Sequence, residues 1–335
     1  MIKNLIPAVK PSFAGIDPGT LKGVICLLTA CLFFPLGDGC AKYLSQTLPV
    51  TEVTWVRYLG NLLLLAPFTL YHHGSKGFLP QRFLAQLFRG LVLVLTTFLF
   101  FSAIQTVPIT DAQIVFFINP LLVVLIAAII LREKLTLSRV LAVLVGFAGV
   151  FLVVRPGLKE FQIETVYAFG AAACFSVFLI STRILSQTES SLVTMFFSAL
   201  VGTLVLPLTL DAGWVLPHWS EFPFLIGVGF FMTIGHFFFF LALRHLDASL
   251  ISPLTYFSIF GSTTVGYFWF GDVPTLNSLM GFILVFGAGA DQKDGKASSS
   301  TKSVNGFNLK FLEAGTDHKK YSGESNQHSQ NPTEG

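Results

Sequence analysis

Residues 98–133 read FLFFSAIQTVPITDAQIVFFINPLLVVLIAAIILRE, and residues 237–272 read FFFFLALRHLDASLISPLTYFSIFGSTTVGYFWFGD. Laid on one another at a constant shift of 139, they pair an aromatic block with an aromatic block. Each continues through a proline-bearing apolar run, and each ends on an acid, Glu133 against Asp272. Upstream, Gly90 meets Gly229 at the same shift, APFTL at 66–70 meets LPLTL at 206–210, and Lys42 meets Arg183 at a shift of 141. Similarity at slightly drifting offsets is the trace of an internal duplication.

Each of these stretches is too apolar for a water-facing surface. Hydrophobic residues make up 53% of the 335 positions and charged residues 12%, which calls for a lipid-facing exterior. A bilayer core of roughly 30 Å needs about 20 apolar residues per helix, and the hydrophobicity arrives in blocks of that length. Spans are predicted at 21–44, 49–71, 83–106, 108–131, 138–154, 162–184, 190–210, 222–244, 247–270 and 275–290, separated by turn-forming strings such as HHGSKGFLPQR, LREKLTLS, VRPGLKE and DAGWVLPHW. Lipid-exposed strands would need a closed barrel and weaker, alternating segments, so a barrel is rejected. The fold expected is an all-α membrane protein of about ten transmembrane helices.

The duplication divides the chain into a first repeat at 21–155 and a second at 162–290, flanked by an N-terminal segment at 1–20 and a polar tail at 291–335. Five spans per half is an odd number, so the second half is expected to enter the membrane in the opposite sense. Inverted repeats of this kind are a hallmark of secondary transporters. The first 20 residues, with Lys3, Lys10, Pro7, Pro11 and Pro18, lack the compact apolar stretch of a cleaved signal. The tail, DQKDGKASSSTKSVNG onward, has the composition of a disordered, solvated extension. Of the 15 Lys and Arg before the tail, 11 fall on or nearest one face and four (Lys42, Arg57, Arg155 and Lys159) on the other. The excess of positive charge therefore predicts both termini in the cytoplasm. The expected location is the plasma membrane or the bacterial inner membrane.

The run FFSAIQTVPITDAQIVFFINPLLVVLIAAIILREKLTLSRVLAVLVGFAGVFLVVRPG resembles the end of an EamA repeat of the drug/metabolite transporter superfamily. Carrying the resemblance are the helix end around Ala103, Thr110 and Ala112, Asn119-Pro120-Leu121, Glu133, and Gly146 with Gly149. Upstream, Lys42, Pro49 and Arg57 fit the family's Lys, Pro, Arg spacing. GDGCAKYL, TEVTWVRYLGNLLLLAPF and FRGLVLVL are similar to the branch of S-adenosylmethionine uptake carriers and riboflavin transporters. The resemblance implies ten helices around a central cavity and transport of a polar metabolite. The tenth span departs from it, being only 16 residues long before Asp291.

Charged groups inside spans are costly and should face a cavity or a partner. Asp38 and Lys42 lie four apart on the first span, on one helical face, where they can neutralise each other as a structural pair. The alternative makes Asp38 a proton or cation site. Arg57 matches the family's second-helix arginine and is a candidate for a substrate carboxylate, Glu52 being poorly phased to partner it. Arg89 is expected to anchor its helix by snorkelling. Pro35, Pro120 and Pro253 interrupt helical hydrogen bonding, and with Asn119, Gln113, Ser252 and Thr255 nearby the freed carbonyls can line a polar cavity. His236 and Tyr256 are the corresponding candidates in the second half, and Phe117 and Phe175 could supply stacking surfaces. The expected substrate-binding set is thus Asp38, Arg57, Asn119, His236 and Tyr256. The structural or gating set is Lys42, Arg89, Pro120, Glu133, Pro253 and Asp272.

Other classes fare worse. Asp38 and Asp272 each follow a glycine, but they sit at different depths and lack the GxGD string of intramembrane aspartyl proteases. No HExxH, GxSxG or nucleotide-binding glycine loop is present, so no enzyme and no cofactor is expected. A passive channel or structural subunit needs neither inverted halves nor charges at unequal depth. Cys26, Cys31, Cys40 and Cys174 lie inside predicted spans without CxxC spacing and read as small buried hydrophobes rather than metal ligands. Basic residues are dispersed, with no nucleic-acid surface. The expected partners are the lipid bilayer, a small-molecule solute and, at most, a second copy of the chain as a homodimer. The function expected is a secondary transporter of a small S-adenosylmethionine-like, amino-acid-derived or riboflavin-like solute.

Overall fold

A computed structural model describes residues 18–74, 80–131, 137–155, 162–185, 190–209, 213–243, 245–246 and 248–290. Nearly everything described is helical: α1 (Pro18–Leu44), α2 (Val50–His73), α3 (Phe83–Thr106), α4 (Ile109–Phe116), α5 (Asn119–Leu131), α6 (Leu137–Val154), α7 (Glu164–Leu185), α8 (Ser191–Val205), α9 (Phe222–Leu243), α10 (Ala248–Thr255), α11 (Ser258–Val265) and α12 (Leu276–Ala290). Helices dominate because apolar surroundings leave backbone N–H and C=O groups no partner but one another. Seven are long and apolar enough to cross a bilayer, the broken α4–α5 segment counting as one, and two shorter apolar helices fall at 140–154 and 276–289. Glu133, the first 17 residues and the tail at 291–335 lie outside the described residues.

The expected spans at 108–131 and 247–270 are each divided in two. The first divides because Pro120 has no N–H to give to the carbonyl of Phe116, one turn back. The Asn119 side-chain amide donates to that carbonyl instead, at 2.9 Å, and the chain turns over Phe117 and Ile118 into α5. The second divides at Tyr256 and Phe257, which are Phe117 and Ile118 moved on by the 139 residues of the sequence duplication. The shift also carries α3, α4, α5 and α6 onto the starts of α9, α10, α11 and α12.

Packing follows the same correspondence. Helix α1 runs along α9 as α7 runs along α3, while α2 meets α8 and α6 meets α12. Phe117 and Tyr256, the matching break residues, pack against each other with tilted rings, 4.7 Å between centroids. Small residues allow the close approaches: a Cβ on Gly60 would lie 2.7 Å from the Cα of Gly229 across α2 and α9, and one on Gly149 would lie 2.8 Å from the carbonyl oxygen of Gly281 across α6 and α12. Such contacts replace a hydrophobic driving force that lipid does not supply between helices. Leu63, Phe68, Leu204, Ile226, Phe268 and Ile283 point outward and are exposed, an apolar exterior suited to lipid.

Replacing Gly149 with valine forces its side chain into the backbone of α12. Overpacking of this kind costs about 1–3 kcal/mol, so the thermal midpoint of the detergent-purified variant is expected to fall by several degrees. An unchanged melt would show that α6 and α12 do not meet at Gly149 and Gly281.

Candidate functional site

A chamber of ≈ 140 Å³ lies between the halves. Four helices of the first half and three of the second supply its walls. Phe34, Pro35 and Asp38 come from α1, Arg57 from α2, Leu93, Thr96, Thr97, Phe100 and Phe101 from α3, and Gln113 and Phe116 from α4. Phe175 of α7, Met232 and His236 of α9 and Ser258 of α11 complete the lining. The i, i+4 spacing of Phe34 and Asp38, of Leu93 and Thr97, and of Met232 and His236 keeps each pair on one helix face. Pro35 belongs to the wall for a second reason: a Cβ on Gly261 would lie 2.8 Å from its ring and 3.0 Å from the carbonyl oxygen of Cys31. That carbonyl is the one to which Pro35 cannot donate.

Arg57 is 6% exposed. Its Nη1 donates to Thr97 Oγ1, which also takes a hydrogen bond from the Tyr58 hydroxyl at 3.0 Å and gives its own proton to the carbonyl of Leu93 at 3.0 Å. One hydroxyl thus uses its single donor and both acceptor positions. The guanidinium also lies 5.7 Å from the centre of the Phe101 ring, a cation–π arrangement. Arg57 Nε is buried with no hydrogen-bond partner among the described residues. Asp38 is likewise 6% exposed, and its carboxylate accepts no hydrogen bond from the described residues. Glu52 is engaged elsewhere, its Oε2 accepting from the Val215 N–H at 3.2 Å.

His236 places Nδ1 2.7 Å from the carbonyl of Met232. A carbonyl can only accept, so Nδ1 carries a proton, and in the neutral ring Nε2 is then the acceptor. Its ring sits edge-on to Phe34, with centroids 4.9 Å apart. Asp38, Arg57 and His236 therefore share the chamber. Asn119 and Tyr256 stand outside its lining: Asn119 caps the α4–α5 break and accepts on its backbone carbonyl from Ser176 Oγ at 3.0 Å, and Tyr256 packs on Phe117 and Phe286. Thr97 and Ser258 are wall residues that the sequence analysis did not single out. The signal for the first was available, since Thr96 and Thr97 interrupt an otherwise apolar LVLVLTTFLF.

The expected pairing of Asp38 with Lys42 does not form. Lys42, one turn on, faces another way: its Nζ lies 3.0 Å from Asp272 Oδ2, donates to the carbonyl of Val107 at 3.0 Å and sits 5.1 Å from the Phe270 ring centre. Asp272 is presented by a tight reversal after the π-helical turn Gly266–Phe270, in which Gly271 takes φ 71°, a left-handed conformation that costs glycine nothing. Beside it, Arg155 Nη2 donates to Thr275 Oγ1 at 2.5 Å. A second cavity of ≈ 150 Å³ is lined there by Asp111, Arg155, Gln162, Thr165 and Thr275, among others. This cluster ties α1 and α6 of the first half to the α11–α12 connection of the second. Asp38 and Asp272 thus belong to different clusters and do not form the shared carboxylate pair of an aspartyl hydrolase.

Arg89 departs from the expected snorkelling. It is 1% exposed and donates to Thr182 Oγ1 at 2.7 Å, to the carbonyl of Thr194 at 3.2 Å and to Ser198 Oγ at 2.7 Å. Its guanidinium lies 4.4 Å from the centre of the Phe178 ring. It clamps α3 to α7 and α8. Pro253 lies within α10.

An apolar helical bundle with charged groups in its interior is the form of an integral, multi-pass membrane protein, and the family its sequence matches is one of transporters rather than enzymes. The chain belongs to the EamA-like transporter family, whose model matches twice, at residues 21–155 and 162–289. It is similar to the S-adenosylmethionine uptake transporter of Rickettsia prowazekii, with 28% identity over 80% of this chain and 91% of the relative. The pseudopaline exporter CntI of Pseudomonas aeruginosa is 24% identical over 79% of this chain and 93% of its own length. The riboflavin transporter of Vibrio cholerae is 26% identical over 76% and 87%. A solved crystal structure shares the fold, with a TM-score of 0.54 and 22% identity over 82% of this chain and 96% of that one.

Replacing Asp272 with asparagine strands the ammonium of Lys42, whose side chain is 8% exposed. With Asp272 itself 23% exposed, the full cost of breaking a buried pair is reduced by solvent screening, to about 1–3 kcal/mol. The double variant Lys42→Met, Asp272→Asn is expected to melt higher than Asp272→Asn alone. Strict additivity of the two changes would show that the pair carries no coupling.

Proposed function

We propose that the chain is a secondary carrier of a small organic metabolite, working by alternating access, with ten spans arranged as two inverted five-helix repeats. The observation that carries this reading is the equivalence of the helix pairings, α1 on α9 and α7 on α3, around a chamber built from both halves. Halves that match element by element and contain five crossings each are accounted for by a pseudo-two-fold axis in the membrane plane. Taking α4–α5 and α10–α11 as single broken spans, and α6 and α12 as short ones, brings the number of crossings to ten. Polar contacts between the halves on both sides of the chamber, Lys42 with Asp272 and Arg89 with Thr182 and Ser198, are the points at which one side would part while the other holds. Both termini are cytoplasmic in this reading, in the plasma membrane or the bacterial inner membrane. Asp38, Arg57 and His236 bind the solute. Asn119 and Pro120 shape the α4–α5 break, Tyr256 braces the α10–α11 break, and Lys42, Arg89 and Asp272 join the halves.

The solute is a polar metabolite of the S-adenosylmethionine-like, amino-acid-derived or riboflavin-like kind, a range supported by the names of the relatives. At ≈ 140 Å³ the chamber is smaller than the roughly 300–1,000 Å³ of ordinary small-molecule sites. A nucleoside-sized solute therefore enters only when the halves move apart, as an alternating-access cycle requires.

Counterflow in proteoliposomes tests the carrier. Labelled S-adenosylmethionine, amino acids, nucleosides and riboflavin are offered in turn, and saturable exchange of at least one is expected. Flux that rises without saturating would replace the carrier with a channel. Arg57→Gln removes a charge-assisted contact worth about 1.5–3 kcal/mol and is expected to cut exchange at least about tenfold at unchanged membrane abundance.

The inversion has its own readout. With the native cysteines replaced, Thr20→Cys at the start of α1 and Glu164→Cys at the start of α7 are expected to label from opposite sides of the membrane. Labelling of both from one side would end the inverted-repeat reading.

A further inference from the structure

Asp38 and Arg57 are the acid and the base that line the chamber. Arg57 shares the chamber with both Asp38 and His236, yet among the described residues neither Asp38 nor Arg57 is in an ion pair within 4.0 Å, the distance that Lys42 and Asp272 do satisfy. Each retains unused hydrogen-bonding capacity. The Asp38 carboxylate accepts nothing from the described residues, and Arg57 Nε is buried without a partner, as is the hydroxyl of Ser258 on the same wall. Around them stand Phe34, Phe100, Phe101, Phe116 and Phe175.

Two opposite charges, each buried and neither fully satisfied, are costly if stability is all they serve, because a buried charge demands a partner. Direct pairing would lower that cost. Held apart in one cavity, they match a ligand that itself carries both signs.

We propose that the chamber selects zwitterionic solutes with an aromatic or otherwise apolar body, whose cationic centre is held by Asp38 and whose carboxylate is held by Arg57. Ring stacking and edge contacts with the phenylalanines take up the body of the solute, while Ser258, Gln113 and Nε2 of His236 offer uncharged hydrogen bonds to its polar substituents. The inference rests on the carrier reading for the identity of the site and narrows it, since a neutral planar solute such as riboflavin leaves both charges unanswered and is disfavoured.

The test is ligand-induced thermal stabilisation of the full, detergent-purified chain, which requires no transport. The probes are S-adenosylmethionine and L-phenylalanine as zwitterions, phenethylamine as the analogue lacking the carboxylate, 3-phenylpropionate as the analogue lacking the amine, and riboflavin. Wild-type protein is expected to bind at least one zwitterion about tenfold or more tighter than either single-charge analogue and than riboflavin, the loss that follows when one buried charge is left unpaired.

Asp38→Asn is expected to lose that preference and to bind 3-phenylpropionate at least as well as wild type does. Arg57→Gln is expected to do the converse with phenethylamine. The ligand each variant retains reports that it is folded. A stronger response to riboflavin than to every zwitterion, no response to any zwitterion, or zwitterion binding unchanged in both variants would overturn the proposal.

The two readings fail separately. Saturable counterflow of riboflavin without zwitterion binding leaves the carrier standing and removes its proposed selectivity. Zwitterion binding without saturable flux leaves the selectivity standing and removes the carrier.

Discussion

Charge carried into the middle of an apolar bundle must be answered from within the protein, and the interior is arranged around that requirement. Arg57 is the clearest case. Its guanidinium cannot reach bulk water at 6% exposure, so Thr97 turns a hydroxyl toward it and Phe101 offers a ring face. Thr97 can serve in this way because its own proton goes to a backbone carbonyl one turn back. Arg89 meets the same need with two side-chain oxygens and a carbonyl drawn from two other helices. Lys42 meets it with a carboxylate and a carbonyl. The chamber differs from these two clusters in that its charges are left incompletely answered.

The charged clusters also account for how the halves are joined. Between helices in an apolar medium there is little hydrophobic gain on contact, so adhesion depends on close glycine approaches and on hydrogen bonds. The glycines join α2 to α9 and α6 to α12, where backbone nearly touches backbone. Lys42, Arg155 and Arg89 then join elements of one half to elements of the other.

Helix breaks contribute to the site without touching it. The turn over Phe117 and Ile118 directs α4 so that Gln113 and Phe116 reach the chamber, and the matching turn over Tyr256 and Phe257 does the same for Ser258. Asn119 pays for the first break by donating to the carbonyl that Pro120 leaves open. A side chain chosen as a ligand candidate for its polarity therefore has a backbone to satisfy, and its amide faces along the chain.

The helical class, the positions of most helices and the correspondence of the two halves were legible in the sequence alone. Those properties follow from the length of apolar blocks, from proline and glycine placement and from offsets that a linear text preserves. The sequence also picked out Asp38, Arg57 and His236, because a charged or titratable group in an apolar run is visible without coordinates. Which of these groups meet was settled by the packing of the helices. Asp38 and Lys42 are one helical turn apart, and spacing alone suggests a pair, yet the reversal at Gly271 brings Asp272 to Lys42 from 230 residues away. Arg89 looked shallow enough to snorkel until α7 and α8 were seen to enclose it. Partners separated by a hundred or more positions are chosen by packing between helices, and the periodicity of a single helix carries no record of what lies against it.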